Sequence, residues 1–279
     1  MHERQPEIEE AAVPAVRGRA IVITSGKGGV GKTTTTANLG TALAMRGARV
    51  ALVDADVGLR NLDIVLGLES RVKHHLLDVI EGGATLDEAL VASKYNESLM
   101  LLAAAQNREK DEVPTEAMTA LIERLRERFD YVLVDCPAGI EHGFRNAVAG
   151  AQEAIVVCTP EVSAVRDVDR VIGLLGNRFK PQLIVNRLRP QLVKRGKMLS
   201  VEDVNAILRL PLLGVIADEP EIIITTNKGE PLALRRDAAT GAAYHAMAAK
   251  IAGEDVAAPT VEARESFFGR LGAFFGGKA

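Results

Sequence analysis

Seven short apolar runs, several rich in β-branched residues, recur along the chain at residues 21–24, 50–54, 99–103, 131–135, 154–158, 182–186 and 213–216. Each is nearly continuous in its hydrophobicity rather than alternating, the pattern of a strand buried on both faces. The intervening segments are long enough for helical crossovers, and those at 33–46 and 238–251 read as helices. Strands alternating with helices predict an α/β fold, a doubly wound and mostly parallel sheet with helices on both faces. The same pattern divides the chain. Residues 1–18 form a charged extension with two prolines, expected to be disordered; 19–253 form one domain; 254–263 are a linker; and 264–279 carry a period of their own.

That last segment closes on ARESFFGRLGAFFGGKA and holds four of the seven phenylalanines. At about 100° per residue, Phe267, Phe268, Leu271, Phe274 and Phe275 fall within an arc of roughly 120°, and Arg270 flanks it. Such a stripe is usually core. Here it follows a linker, and Gly269 and Gly272 each cost roughly 1 kcal/mol of helix stability. The expectation is an amphipathic helix that forms on a membrane surface, with Arg270 near anionic head groups. Docking on its own domain or in a partner's groove is the alternative.

The chemistry-bearing motif follows the first run. Gly26, Lys27, Gly28, Gly29, Val30, Gly31, Lys32 and Thr33 fill the spacing G-x-x-x-x-G-K-[ST] between a strand and a helix. Such a loop aims backbone N–H groups and the positive end of a helix dipole at an anion. Lys32 is expected to reach the β- and γ-phosphates of a nucleotide, with Thr34 in the first helical turn and the Thr33 hydroxyl on Mg²⁺. Acids end two other runs, where ligands of a doubly wound sheet collect. Asp54 and Asp56 follow the second run. Asp56 is expected to position and activate the attacking water, and Asp54 to support the magnesium water shell or the switch conformation. Asp135, in the string DCPAG, reads as a Walker B carboxylate holding Mg²⁺, and the Gly139 N–H as a sensor of the γ-phosphate.

Composition narrows the field. The chain has 279 residues, 47% of them hydrophobic, and a net charge of −3, which argues against non-specific DNA binding as its main business. Cys136 and Cys158 fit neither a redox pair nor a zinc site and read as buried thiols, and no metal beyond Mg²⁺ is expected. No stretch approaches the roughly 18 apolar residues of a membrane span. The opening MHERQPEIEE is unlike a signal peptide, so a cytoplasmic protein is expected. The basic run Arg187, Arg189, Lys194, Arg195 and Lys197 reads by default as a solvated loop.

The string KGGVGKT resembles the deviant Walker A motif of the MinD/ParA family, which includes the nitrogenase iron protein. The resemblance implies that Lys27 reaches across an ATP-bound homodimer to the partner's phosphates, so that ATP hydrolysis requires dimerisation. The strings DADVGLRNLDIVLGLE, DCPAGIE, TPEVSAVRDVDRVIGLL and LIVNRLRPQLVKRGKMLSVEDV resemble the septum-placing members of that family. GVIADE departs from their common GVIPED. By that resemblance Asn186 contacts adenine, the last segment targets the inner membrane from the cytoplasmic face, and the partners are anionic lipids, a MinC-type division inhibitor and a MinE-type activator. The rivals are a DNA-partitioning ATPase, disfavoured by the acidic balance and the aromatic tail; an iron–sulfur ATPase, for which Cys136 and Cys158 are poorly placed; and an ATP-binding scaffold without turnover.

Overall fold

The computed structural model describes residues 17–106, 113–140 and 142–256. The expectations for residues 1–16 and for the Phe267, Phe268, Arg270, Leu271, Phe274 and Phe275 stripe lie outside the described residues. Among them the strands are β1 (Arg19–Thr24), β2 (Val50–Asp54), β3 (Leu90–Ala92), β4 (Leu99–Leu102), β5 (Tyr131–Asp135), β6 (Glu153–Cys158), β7 (Gln182–Leu188) and β8 (Leu212–Ala217). The helices are α1 (Lys32–Ala44), α2 (Leu62–Leu66), α3 (Leu76–Ile80), α4 (Leu86–Ala89), α5 (Thr115–Arg126) and α6 (His142–Ala149), then α7 (Val162–Leu175), α8 (Pro190–Lys194), α9 (Val201–Leu208), α10 (Pro220–Asn227) and α11 (Ala239–Ile251).

The strands form one sheet in the order β3-β4-β2-β5-β1-β6-β7-β8. Every neighbouring pair is parallel except β3 with β4. All seven expected runs are strands of this sheet. The antiparallel edge strand β3 was not among them, because three residues between a helix and a turn carry no readable period. Its pairing with β4, Leu90 opposite Leu102, makes it a strand.

Strand alternation explains why the runs look uniformly apolar. Ala20 and Val22 of β1 and Val132 and Val134 of β5 face one core with α5, α6 and α7, whereas Ile21, Ile23, Leu52 and Leu133 face another with α1 and α11. With helices on both faces, neither side of a central strand meets water. The start of β1 is tied down by charge. Arg19 forms a two-pronged pair with Glu153, at 2.6 and 2.7 Å, and also donates to the Ile251 carbonyl at the end of α11. Just before it, the Gly18 N–H donates to the Arg126 carbonyl at 2.8 Å.

One close backbone approach joins α2 to α10. Helices α2 and α10 each end in a left-handed glycine, Gly67 and Gly229, both with φ +63°. A Cβ on Gly229 would lie 2.4 Å from the Cα of Gly67, so the two chain reversals nest on bare backbone. Gly229→Ala therefore meets both a left-handed φ and a backbone clash, with an expected loss of roughly 2–4 kcal/mol of stability. Gly82→Ala, left-handed but with open space around the added methyl, is the control, with a loss of about 1 kcal/mol. Denaturant unfolding of both variants measures the difference.

Candidate nucleotide site

The phosphate loop leaves β1 at Ser25 and enters α1 at Lys32. Its course depends on glycine at both ends. Gly26 lies against α7, where a Cβ would come within 2.5 Å of the Asp167 Cβ. Gly31 is the left-handed N-cap of α1, at φ +98°, and a Cβ there would meet the Asn186 Nδ2 at 2.4 Å. Side chains engage two of the loop's carbonyls. The Ser25 hydroxyl donates to the Lys27 carbonyl at 2.8 Å, and Asn186 Nδ2 donates to the Val30 carbonyl at 2.8 Å. Among the described residues none accepts from the N–H groups of residues 26–34. An arc of free N–H groups ahead of a helix N-terminus, with carbonyls bonded elsewhere, is an anion cradle.

The two loop lysines differ in placement. Lys32 is 7% exposed and donates to the Ser25 hydroxyl at 3.1 Å, whereas Lys27 stands exposed on the rim. Ser25 thus holds both the catalytic-type lysine and the loop carbonyl. It was absent from the candidates because a serine seven residues ahead of a lysine carries no motif.

Asp54 and Asp135 stand directly opposite each other in the β2–β5 register, each 1% exposed. The Thr36 hydroxyl donates to Asp135 Oδ1 at 3.3 Å, and the Thr33 hydroxyl is near enough to lower the Asp135 carboxyl. Burial and the Asp54 charge push the Asp135 carboxyl up to about 8, against the lowering effect of Thr33 and Lys32. Burial likewise raises Asp54, to about 6, although its carboxylate accepts three backbone N–H groups. These come from Asp56 at 3.0 Å and from Asn61 and Leu62 at 3.1 Å each. Asp54 therefore shapes the whole turn that follows β2. Asp56, half-buried, is carried on that turn, and its carbonyl accepts from the Leu59 and Arg60 N–H groups at 3.1 and 3.2 Å.

Gly139 sits in the β5–α6 loop at φ +93°. Asn186, 6% exposed at the bulged end of β7, spends part of its amide within the protein, on the Val30 carbonyl and the Arg187 N–H. Its second Nδ2 hydrogen and the remaining lone pair of Oδ1 are left for a ligand. The donor set suits magnesium. A buried carboxylate and a hydroxyl in mutual contact, beside an amide cradle for phosphate oxygens, match the one or two protein ligands that Mg²⁺ takes. Among the described residues no cluster of three or more His, Cys, Asp or Glu forms another metal site. Both cysteines are buried, and burial pushes their thiols up to about 12, so neither supplies a thiolate.

A raised carboxyl penalises the folded state as it ionises. The unfolded chain loses the Asp135 proton near the ordinary value of 3.8, the folded chain near 8, so this contribution is whole below about 4 and is lost as pH rises to about 8. An asparagine in its place would mimic the protonated form at every pH. In EDTA and without nucleotide, Asp135→Asn is expected to melt close to the unsubstituted protein at pH 4.5 and above it, by a few degrees or more, at pH 8.5. Thermal melts at the two pH values check this.

Comparison with known proteins agrees with the geometry. The family model described as the CobQ/CobB/MinD/ParA nucleotide binding domain matches residues 21–232. The septum site-determining protein MinD of Synechocystis is 56% identical over 241 residues, spanning 85% of this chain and 91% of that one. Among solved structures, the MinC:MinD cell division protein complex of Aquifex aeolicus aligns with TM-score 0.82 and 46% identity, over 87% of this chain and 99% of that one. The septum site-determining MinD of Pyrococcus horikoshii complexed with Mg-ADP aligns with TM-score 0.76 and 32% identity, over 84% and 96%. The chain belongs to the CobQ/CobB/MinD/ParA nucleotide-binding family and, within it, to the MinD septum site-determining ATPases.

Proposed function

We propose that the protein is a membrane-switching ATPase that dimerises on Mg-ATP, binds the cytoplasmic face of the inner membrane, and recruits a MinC-type inhibitor to place the division septum. The observation that carries this reading is the pair of lysines. Lys32 is buried at the cradle and Lys27 is exposed on its rim, so one chain supplies a complete phosphate seat and an unused cation. The relative solved with Mg-ADP and the relative solved with MinC support the nucleotide, the metal and the partner.

In this mechanism Thr33 and Asp135 would hold Mg²⁺, which would supply positive charge to the phosphates. The loop amides and Lys32 orient those phosphates, and Asn186 contacts the adenine edge. Asp56 orients the attacking water and takes up its proton as the water oxygen bonds to the γ-phosphorus. The bond to the ADP oxygen breaks, with Lys32 facing the departing phosphates. The partner's copy of Lys27 faces the charge on the transferring group, a contact of the kind worth about 10³–10⁵ in rate. The Gly139 N–H meets the γ-phosphate and loses that contact on hydrolysis.

Membrane affinity follows from pairing. A single short helix built on Phe267, Phe268, Leu271, Phe274 and Phe275, with Arg270 beside it, binds weakly, whereas two in one dimer gain on the order of 10²-fold or more in avidity. Hydrolysis separates the subunits and releases each. A MinE-type activator would act by stimulating that step.

Co-sedimentation with anionic vesicles tests the reading. Pelleting is expected with Mg-ATP, not with Mg-ADP, and is lost in Lys32→Ala and in a chain ending at Ala263. Pelleting by plasmid DNA instead would favour a DNA-partitioning ATPase. Asp56→Ala is expected to pellet with ATP but to turn over about 10²-fold or more slowly. Its release from vesicles on the unsubstituted timescale would refute the role of Asp56.

A further inference from the structure

One buried polar side chain near the site serves none of the roles above. Asn146 lies on α6, the helix that follows the Gly139 loop, and is 3% exposed. Its helical neighbours Phe144, Ala147 and Val148 are buried and apolar. Both ends of its amide are engaged outside α6. Nδ2 donates to the Val113 carbonyl at 2.6 Å, and Oδ1 accepts from the Thr115 hydroxyl at 2.5 Å. An apolar side chain of similar volume would fill this position without the desolvation of an amide. A buried amide bonded at both its nitrogen and its oxygen instead permits one register of α6 against the start of α5 and excludes its neighbours.

The same spot meets the aspartate turn. A small cavity is lined by Ala55 and Val57 from that turn, by Val113, and by Gly143 and Asn146 from α6. The turn is also bonded to the exit of β4, where the Gly58 N–H donates to the Ala105 carbonyl at 2.8 Å. Asp56 and Gly139 thus ride on two segments that share a wall at Val113, and Asn146 fixes one of them to that wall.

We propose that Asn146 is a positioning residue for ATP hydrolysis: by bonding Val113 and Thr115 it holds α6 in the register that sets the Gly139 loop against the turn carrying Asp56. It touches no substrate and acts through both. This rests on the ATPase reading above. The seat for the α- and β-phosphates and the base is built on other elements, so loss of the amide reduces turnover while leaving ADP binding intact.

Asn146→Leu removes both bonds at similar volume, and Thr115→Val removes one from a half-exposed position. In full-length protein with Mg-ATP and anionic vesicles, Asn146→Leu is expected to lower kcat by about tenfold, and Thr115→Val by about threefold. Both keep the Kd for Mg-ADP within about twofold, and the double variant is no slower than Asn146→Leu, because the two groups act as one unit. Unchanged kcat in Asn146→Leu, a parallel loss of ADP affinity, or additive effects would overturn the proposal. If Asn146→Leu does not fold, full activity in Thr115→Val overturns it equally. Absence of turnover in the unsubstituted protein would refute the ATPase reading and this inference with it, whereas normal turnover in Asn146→Leu refutes this inference alone.

Discussion

Two carboxylates buried side by side are the constraint around which the site is arranged. Asp54 and Asp135 end adjacent parallel strands in register, and such neighbours stand about 5 Å apart. Two like charges about 5 Å apart repel by about 3 kcal/mol even at an effective dielectric constant of 20. That is comparable to much of the roughly 5–15 kcal/mol by which a domain is stable. The three amides on Asp54, and Thr33 and Lys32 beside Asp135, offset burial and like charge only in part: Asp135 remains raised by burial and by the Asp54 charge, and Asp54 by burial and by the Asp56 charge. A proton relieves the strain in the free protein, and a divalent cation relieves it better. The site is therefore built for a cation that arrives together with an anion the adjacent amide cradle can hold.

A parallel sheet makes that arrangement possible. Parallel strands end on the same side, so β1, β2, β5 and β7 deliver the phosphate loop, the aspartate turn, Asp135 and Asn186 to one edge. The two cores behind them, one on each face, fix the heights of those ends. Gly26 then admits the backbone of α7 to the loop itself, so the helix is part of the wall that shapes the cradle.

Much of this was legible in the sequence because it is local. The spacing of Gly26, Gly31, Lys32 and Thr33 is a property of eight residues, and an aspartate ending an apolar run needs no tertiary information. The strands were legible because burial on both faces writes a run of hydrophobic residues. The edge strand β3 was not, since its three residues are strand only through β4. Ser25 and Asn146 were likewise hidden: each acts through bonds to residues far off in sequence or in irregular backbone, and neither type at its position carries a period or motif. For Asp54 the sequence leaves two roles open, the magnesium water shell and the switch conformation. The three amides on its carboxylate favour the shaping of the turn, a bonding pattern no spacing could reveal.

The placement of the two lysines has a further consequence under the proposed mechanism. Ground-state binding of the phosphates draws on the amides, the Thr33–Asp135 metal seat and Lys32, all within a single chain, with Lys32 buried and hydrogen bonded. Interactions made equally in ground and transition states tighten binding without speeding the chemical step. A cation that arrives only on dimerisation is added where charge develops, and it raises the rate without being needed for nucleotide affinity. Nucleotide occupancy is then a property of each chain, whereas turnover scales with the population of pairs, and so does membrane affinity when each chain brings one weak anchor. Turnover and membrane residence are thus governed by the same pairing equilibrium, and a surface that concentrates the pair also supplies the arrangement that ends it.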